Sequence, residues 1–129
     1  MALQEPEPDV RRRLYEALQQ QADIPAARIL PTVLAENDIA ARVAGFNALS
    51  RAAAQPAATD VAAVFNQQIV PELIQIATNP NSFNIQMRAV FALRQAQTPA
   101  AQEALAFIAQ TAPPQVATAA RNGLLSQTN

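Results

Sequence analysis

The chain contains no lysine, histidine, cysteine or tryptophan. Without cysteine it can form no disulfide and offers no thiolate nucleophile. Without histidine as well, it can build neither an ordinary zinc site nor a Ser-His-Asp arrangement. The missing lysine removes Schiff-base chemistry and the usual phosphate-gripping ammonium. Glycine is scarce too: Gly45 and Gly123 are the only two, and both lie inside helical patterns. A glycine-rich phosphate loop is therefore excluded. No apolar run approaches the roughly 20 residues that span a bilayer. Aromatic residues make up 5% of the chain, and the net charge is −1. Such a chain lacks the broad positive field that non-specific nucleic-acid binding requires. The opening "MALQEPEPDV" has neither the basic nor the apolar region of a signal peptide. It reads as a solvated lead-in over residues 1–8, or as the place where the segment was cut from a longer protein. The cytoplasm is the expected compartment, with the periplasm as the alternative if an export signal has been removed.

Much of what remains is alanine, and all nine basic residues are arginine. Abundant alanine with little glycine favours helix, and alternating β-branched runs are missing. Four stretches resemble one another: Val10 to Leu18 (VRRRLYEAL), Ala41 to Leu49 (ARVAGFNAL), Ile85 to Leu93 (IQMRAVFAL) and Val116 to Leu124 (VATAARNGL). Each opens on an aliphatic residue, with Ala or Gly at its eighth place and Leu at its ninth. Their starts lie 31, 44 and 31 residues apart. Places 1, 5, 8 and 9 share one helical face. The fifth place holds Leu14, Gly45, Ala89 and Ala120. Small residues there let a neighbouring helix approach closely.

A second unit precedes each later copy. "ILPTVLAEN" (Ile29 to Asn37) matches "IVPELIQIATN" (Ile69 to Asn79), and "ALAFIAQTAPP" (Ala104 to Pro114) is a looser third copy. Breaks are expected at "ENDI", "NPNSFN" and "TAPPQ". Thr98-Pro99 reads as an N-cap followed by proline at the first helical position, and Asp23 before Ile24-Pro25 has the same form. Pro31 and Pro71 fall inside apolar helical patterns, where each either kinks or restarts a helix. The 13 additional residues of the long interval suggest a longer helix, up to Pro71, capped at Thr59 or Asp60. The expectation is about seven helices: a lone leading helix, then three antiparallel pairs, in one domain over residues 9–126 with a tail over 127–129.

"VRRRLYEAL" resembles the second helix of a HEAT-like repeat of the short phycobilisome-lyase type, and "ILPTVLAENDIAARVAGFNAL" resembles a whole repeat. The resemblance implies an all-α fold, a short right-handed α-solenoid of antiparallel helix pairs. The family places Asp just before the anchor of the second helix and Arg just after it. Asp9 and Arg11 fit both places, Arg42 fits one, and Asn84, Gln86, Gln115 and Ala117 depart. A polar ladder between repeats is therefore expected to be partial. No lyase activity is implied, since no residue matches a chromophore-handling site.

The arginines have two readings. They border a packed seam and pair with carboxylates, or some of them line the concave surface. The sixth place of the unit holds Tyr15, Phe46, Val90 and Arg121, with Phe91 beside it. That row is either further core or an aromatic stripe for a partner. The candidate contact residues are Tyr15, Arg42, Phe46, Arg88, Phe91 and Arg121. Glu36 and Asp38 sit at a turn where capping explains them, while Glu72 and Glu103 stand alone. No catalytic, cofactor or metal site is expected. The expected function is a non-catalytic interaction module that holds a protein or peptide along the groove of its second helices. The alternatives are a segment of a longer solenoid, self-association through the N-terminal face and, least favoured by charge, nucleic-acid binding.

Overall fold

A computed structural model describes residues 7–20, 26–54, 59–79 and 82–127. The candidate cap at Asp23, most of the lead-in and the last two residues of the tail lie outside them. Every regular element among the described residues is helical: α1 (Pro8–Gln19), α2 (Ala26–Leu34), α3 (Ile39–Ala53), α4 (Thr59–Val64), α5 (Val70–Thr78), α6 (Phe83–Ala96), α7 (Pro99–Thr111) and α8 (Pro114–Gln127). A π-turn over Phe65–Ile69 joins α4 to α5. These three segments form one rod, so the helical rods number seven among the described residues.

Local chemistry sets where the helices start. The Asp38 carboxylate accepts from the Ala41 amide at 3.0 Å and opens α3. Thr98 does the same for α7 through Ala101, with Pro99 next in the chain. The hydroxyl of Ser82, within the break expected at "NPNSFN", caps α6 through Ile85 at 3.2 Å. A helix that ends without glycine leaves carbonyls to be satisfied by other means. With so little glycine, this chain supplies side chains from other helices. Arg42 of α3 donates to the carbonyls of Val33, Leu34 and Glu36 at the end of α2. Arg51 donates to the Gln19 carbonyl at the end of α1. Gln86 of α6 donates to Ala77 and Asn79 at the end of α5. Arg42 and Gln86 hold the same place in their nine-residue stretches, so the departure from arginine at Gln86 preserves the capping.

The π-turn has a sequence cause. Val61, Phe65, Ile69 and Leu73 are all buried, at a spacing of four. On an α-helix of 3.6 residues per turn, that spacing drifts by about 40° at each step. A wider turn absorbs the drift and keeps the four on one face. The Val70 amide bonds to the Phe65 carbonyl, five residues back. The wider turn also lies where the ring of Pro71, which has no N–H, would crowd the Gln67 carbonyl of a regular helix. Pro71 therefore neither ends nor restarts the rod, and Pro31 lies within α2.

Packing follows the small residues. α1 lies against α3, α3 against α6, and α6 against α8. α2 touches α3 and α4; α5 touches α6 and α7; α7 touches α8. The center is α3, where every residue from Val43 to Ser50 is buried. A Cβ at Gly45 would stand 2.7 Å from Val33 Cγ2, so α2 and α3 meet at a distance only glycine permits. Tyr15, Phe46, Phe65, Leu49, Leu93 and Leu105 are among the fully buried side chains. Each large apolar one contributes roughly 1.5–3 kcal/mol of transfer free energy. No helix of the described residues is long and apolar enough to cross a membrane.

Candidate interaction cleft

The six candidate contact residues separate into four groups. Tyr15 and Phe46 have no solvent exposure. They belong to the core, and so does Val90. The reason is the closure of α1 and α6 over α3. Arg88 of α6 reaches Glu16 of α1 at 2.6 Å, and Gln19 donates to Gln95 at 3.0 Å. Both bonds link α1 to α6, and α3 packs against each of these helices, so the sixth place faces inward in α1, α3 and α6. Arg42 is half-buried and bonds Glu72 and helix-end carbonyls. Arg121 is exposed on α8 and is not among the described residues that line the cleft.

Arg88 and Phe91 do come together. They line a cleft of about 840 Å³ beside α6. Gln19 of α1 and Asn47 of α3 form one side, and α6 contributes Asn84, Met87, Arg94 and Gln95 as well. Gln97 and Gln102 close the end towards α7. Phe91 is 48% exposed, and the Arg94 guanidinium lies 5.4 Å from its ring center. Asn47 is anchored: its Nδ2 donates to the carbonyls of Val43 and Arg88, each at 3.1 Å. Gln97 takes φ 58°, the left-handed region, and turns the chain from α6 into Thr98. Arg94 also packs on α8, where a Cβ at Gly123 would fall 2.5 Å from its Cγ.

The cleft row is one place further along the unit than the aromatic row read from the sequence. The seventh place holds Glu16, Asn47 and Phe91, and one step on a helix turns about 100°. The missed residues are largely carboxamides. Their signal was the cluster of Gln and Asn at one face of α6, which polar composition alone did not distinguish from a solvated surface.

Electrostatics divides the arginines in the same way. Arg11 Nε reaches Glu36 at 2.6 Å, and the Glu36 side chain is only 3% exposed. The Arg11 bond, working against burial and helped by the Asp38 amide, holds the Glu36 carboxyl below its ordinary range. Glu36 thus does more than cap a turn, and Glu72 does not stand alone. Glu16 is pushed up by burial and pulled down by Arg88 and Arg12, with the pull prevailing. Arg11, Glu36, Arg42 and Glu72 form a continuous ladder, since the Glu36 carbonyl also accepts from Arg42. The ladder is carried by Arg11 and Arg42; at the same place in α6, Gln86 bonds carbonyls instead.

Comparison with protein-family models, with curated proteins and with solved structures finds no match for this chain. Among the described residues, no three carboxylates gather as a metal site would need.

Proposed function

We propose that the chain is a short right-handed α-solenoid of HEAT-like pairs, and that it works as a non-catalytic module holding a protein or peptide partner along α6. The order of contacts supports the solenoid. α1, α3, α6 and α8 touch in succession as one row, while α2 with α4, and α5 with α7, touch as a second. Stacked pairs make nearest-neighbour contacts of this kind and leave a concave surface free for binding. The observation that carries the function is the cleft, where exposed Phe91 lies among Met87, Arg88 and Arg94. An exposed aromatic flanked by arginine is the composition of an interface hot spot.

The test is hydrogen exchange on the chain with a partner captured by it. Protection of residues 84–97 on binding, lost in a folded Phe91→Ala variant, is the expected result. Protection confined to α2, α4 and α7 would contradict the reading.

A further inference from the structure

We propose that the edge of the molecule where α1, α3, α6 and α8 begin is a docking surface for a basic amphipathic helix of a partner protein, one with an apolar residue about every seven places. The proposal does not rest on the reading of the cleft.

The edge exists because the four helices run parallel. Arg11, near the start of α1, bonds Glu36 just before α3, and Arg51, near the end of α3, bonds the Gln19 carbonyl at the end of α1. Glu16 with Arg88 and Gln19 with Gln95 keep the same order between α1 and α6. Between α6 and α8, Phe83 shares a hollow with Pro114, and Arg94 packs on Gly123. All four starts therefore lie on one side.

That side carries an apolar stripe. Phe83 is 51% exposed, Ile39 39% and Val10 37%. Each lies in the first turn of its helix, and exposed Pro114 opens α8. The hollow at Phe83 and Pro114 measures about 480 Å³ and is completed by Gln115 and Thr118. Packed helices stand 8–10 Å apart, so the stripe repeats at about 10 Å from helix to helix. Seven residues of α-helix rise by about 10 Å and return to nearly the same face. An extended strand alternates its faces at every residue and does not hold that repeat on one side. The spacing thus selects a helix laid across the four starts.

Charge selects a basic one. Glu7 and Asp9 at the start of α1, with the Asp38 cap of α3, put three carboxylates on this edge. None of them forms an ion pair among the described residues. Helix starts favour carboxylates through the helix dipole, so the acid is held there without a basic partner in the chain. Arg11 is bonded to Glu36, and Arg13 sets a single guanidinium against the three. Lysine or arginine beside the apolar residues of the incoming helix complements the edge. The same edge of a second copy, an anionic lipid surface and nucleic acid would each meet like charge.

The experiment titrates a fluorescent 22-residue helical peptide into the full chain and follows its anisotropy. The peptide has leucine at every seventh place, with alanine and lysine between. A peptide with glutamate for every lysine is run beside it, and the chain alone is sedimented at the same concentrations. Phe83→Ser, Ile39→Ser, Glu7→Gln with Asp9→Asn, and Phe91→Ala variants are checked by circular dichroism and titrated in parallel. The expected result is binding of the lysine peptide that weakens about tenfold in Phe83→Ser or Ile39→Ser. It should also weaken with added salt and in the doubly neutralised variant, and stay unchanged in Phe91→Ala. Equal binding of the two peptides, or no binding of either, would overturn the proposal. Binding lost in Phe91→Ala and kept in Phe83→Ser would overturn it in favour of the α6 cleft. Self-association of the chain that Phe83→Ser abolishes would overturn it in favour of a second copy.

Discussion

Arg42 and Glu72 are joined by two parallel hydrogen bonds, 2.5 Å from Nε and 2.8 Å from Nη2. The remaining guanidinium nitrogen of Arg42 caps α2, and its carbon lies 5.1 Å from the center of the Phe46 ring. One side chain thus ties α2, α3 and α5 together. Only a planar fork with five donors can serve a carboxylate and several carbonyls at once. Arg42→Met is expected to destabilise by about 2 kcal/mol in urea unfolding, the scale of losing hydrogen bonds from a charged donor. Arg42→Lys should recover only part of this, because an ammonium cannot reproduce the fork. Full recovery by lysine would show that charge alone suffices.

Tyr15 carries the core's one anomaly among the described residues. Its ring is fully buried and its hydroxyl has no hydrogen-bond partner. An unsatisfied buried hydroxyl costs stability. Tyr15→Phe is therefore expected to leave the fold as stable or up to about 1 kcal/mol more stable. A clear loss in thermal unfolding would mean that the hydroxyl is satisfied in solution.

Gly45 is set by contact, not by a turn. Alanine there would gain about 1 kcal/mol of helix propensity, but its Cβ would collide with the stiff, branched Val33. Overpacking of this kind costs roughly 1–3 kcal/mol. Gly45→Ala is expected to be net destabilising, and Gly45→Ala with Val33→Ala to recover part of the loss relative to Val33→Ala alone. Additive losses in the double variant would rule out this contact as the cause.

The overall helical plan was legible in the sequence because its signals are local. Thr98-Pro99, the leucines at the ninth place and the scarcity of glycine depend only on neighbouring residues. The sequence suggests a longer helix that ends at Pro71; the rod instead runs past Pro71 to Thr78, carried by a π-turn that depends on both Pro71 and the spacing of four from Val61 to Leu73. The site was less legible. Tyr15 and Phe46 look like surface anchors until α1 and α6 are seen to close over α3, and that closure is a tertiary fact. Phe91 and Arg88 line the cleft together with Asn47, Met87 and Arg94, three residues with no separate signal in the sequence, because one helical step separates core from cleft.

Acid should weaken the fold through Glu36 and Glu16. Both carboxyls are held below the ordinary value of 4.5 in the folded chain. A depressed folded value contributes stability that is present above the unfolded value and is lost as pH falls through the folded one. Stability should hold from pH 7 to about 5, then decline below about 4.5. Glu36→Gln is expected to be less stable at pH 7 but to show a shallower decline in urea unfolding midpoints. An unchanged slope would exclude Glu36 as a contributor.

Gln97 holds a left-handed backbone that glycine adopts freely. Gln97→Gly is expected to stabilise by about 1 kcal/mol, the scale of the left-handed penalty. Thermal melting is the check, and a lowered midpoint would show that the Gln97 side chain holds the α6–α7 turn.

The measurement that tests the central claim most directly compares Phe91→Ala with Phe46→Ala for both thermal stability and partner affinity. Phe91→Ala is expected to melt like the wild type and to lose the partner. Phe46→Ala, which empties a core site, is expected to cost about 3–5 kcal/mol of stability. A Phe91→Ala variant that is fully folded and binds the partner unchanged would contradict the assignment of the cleft.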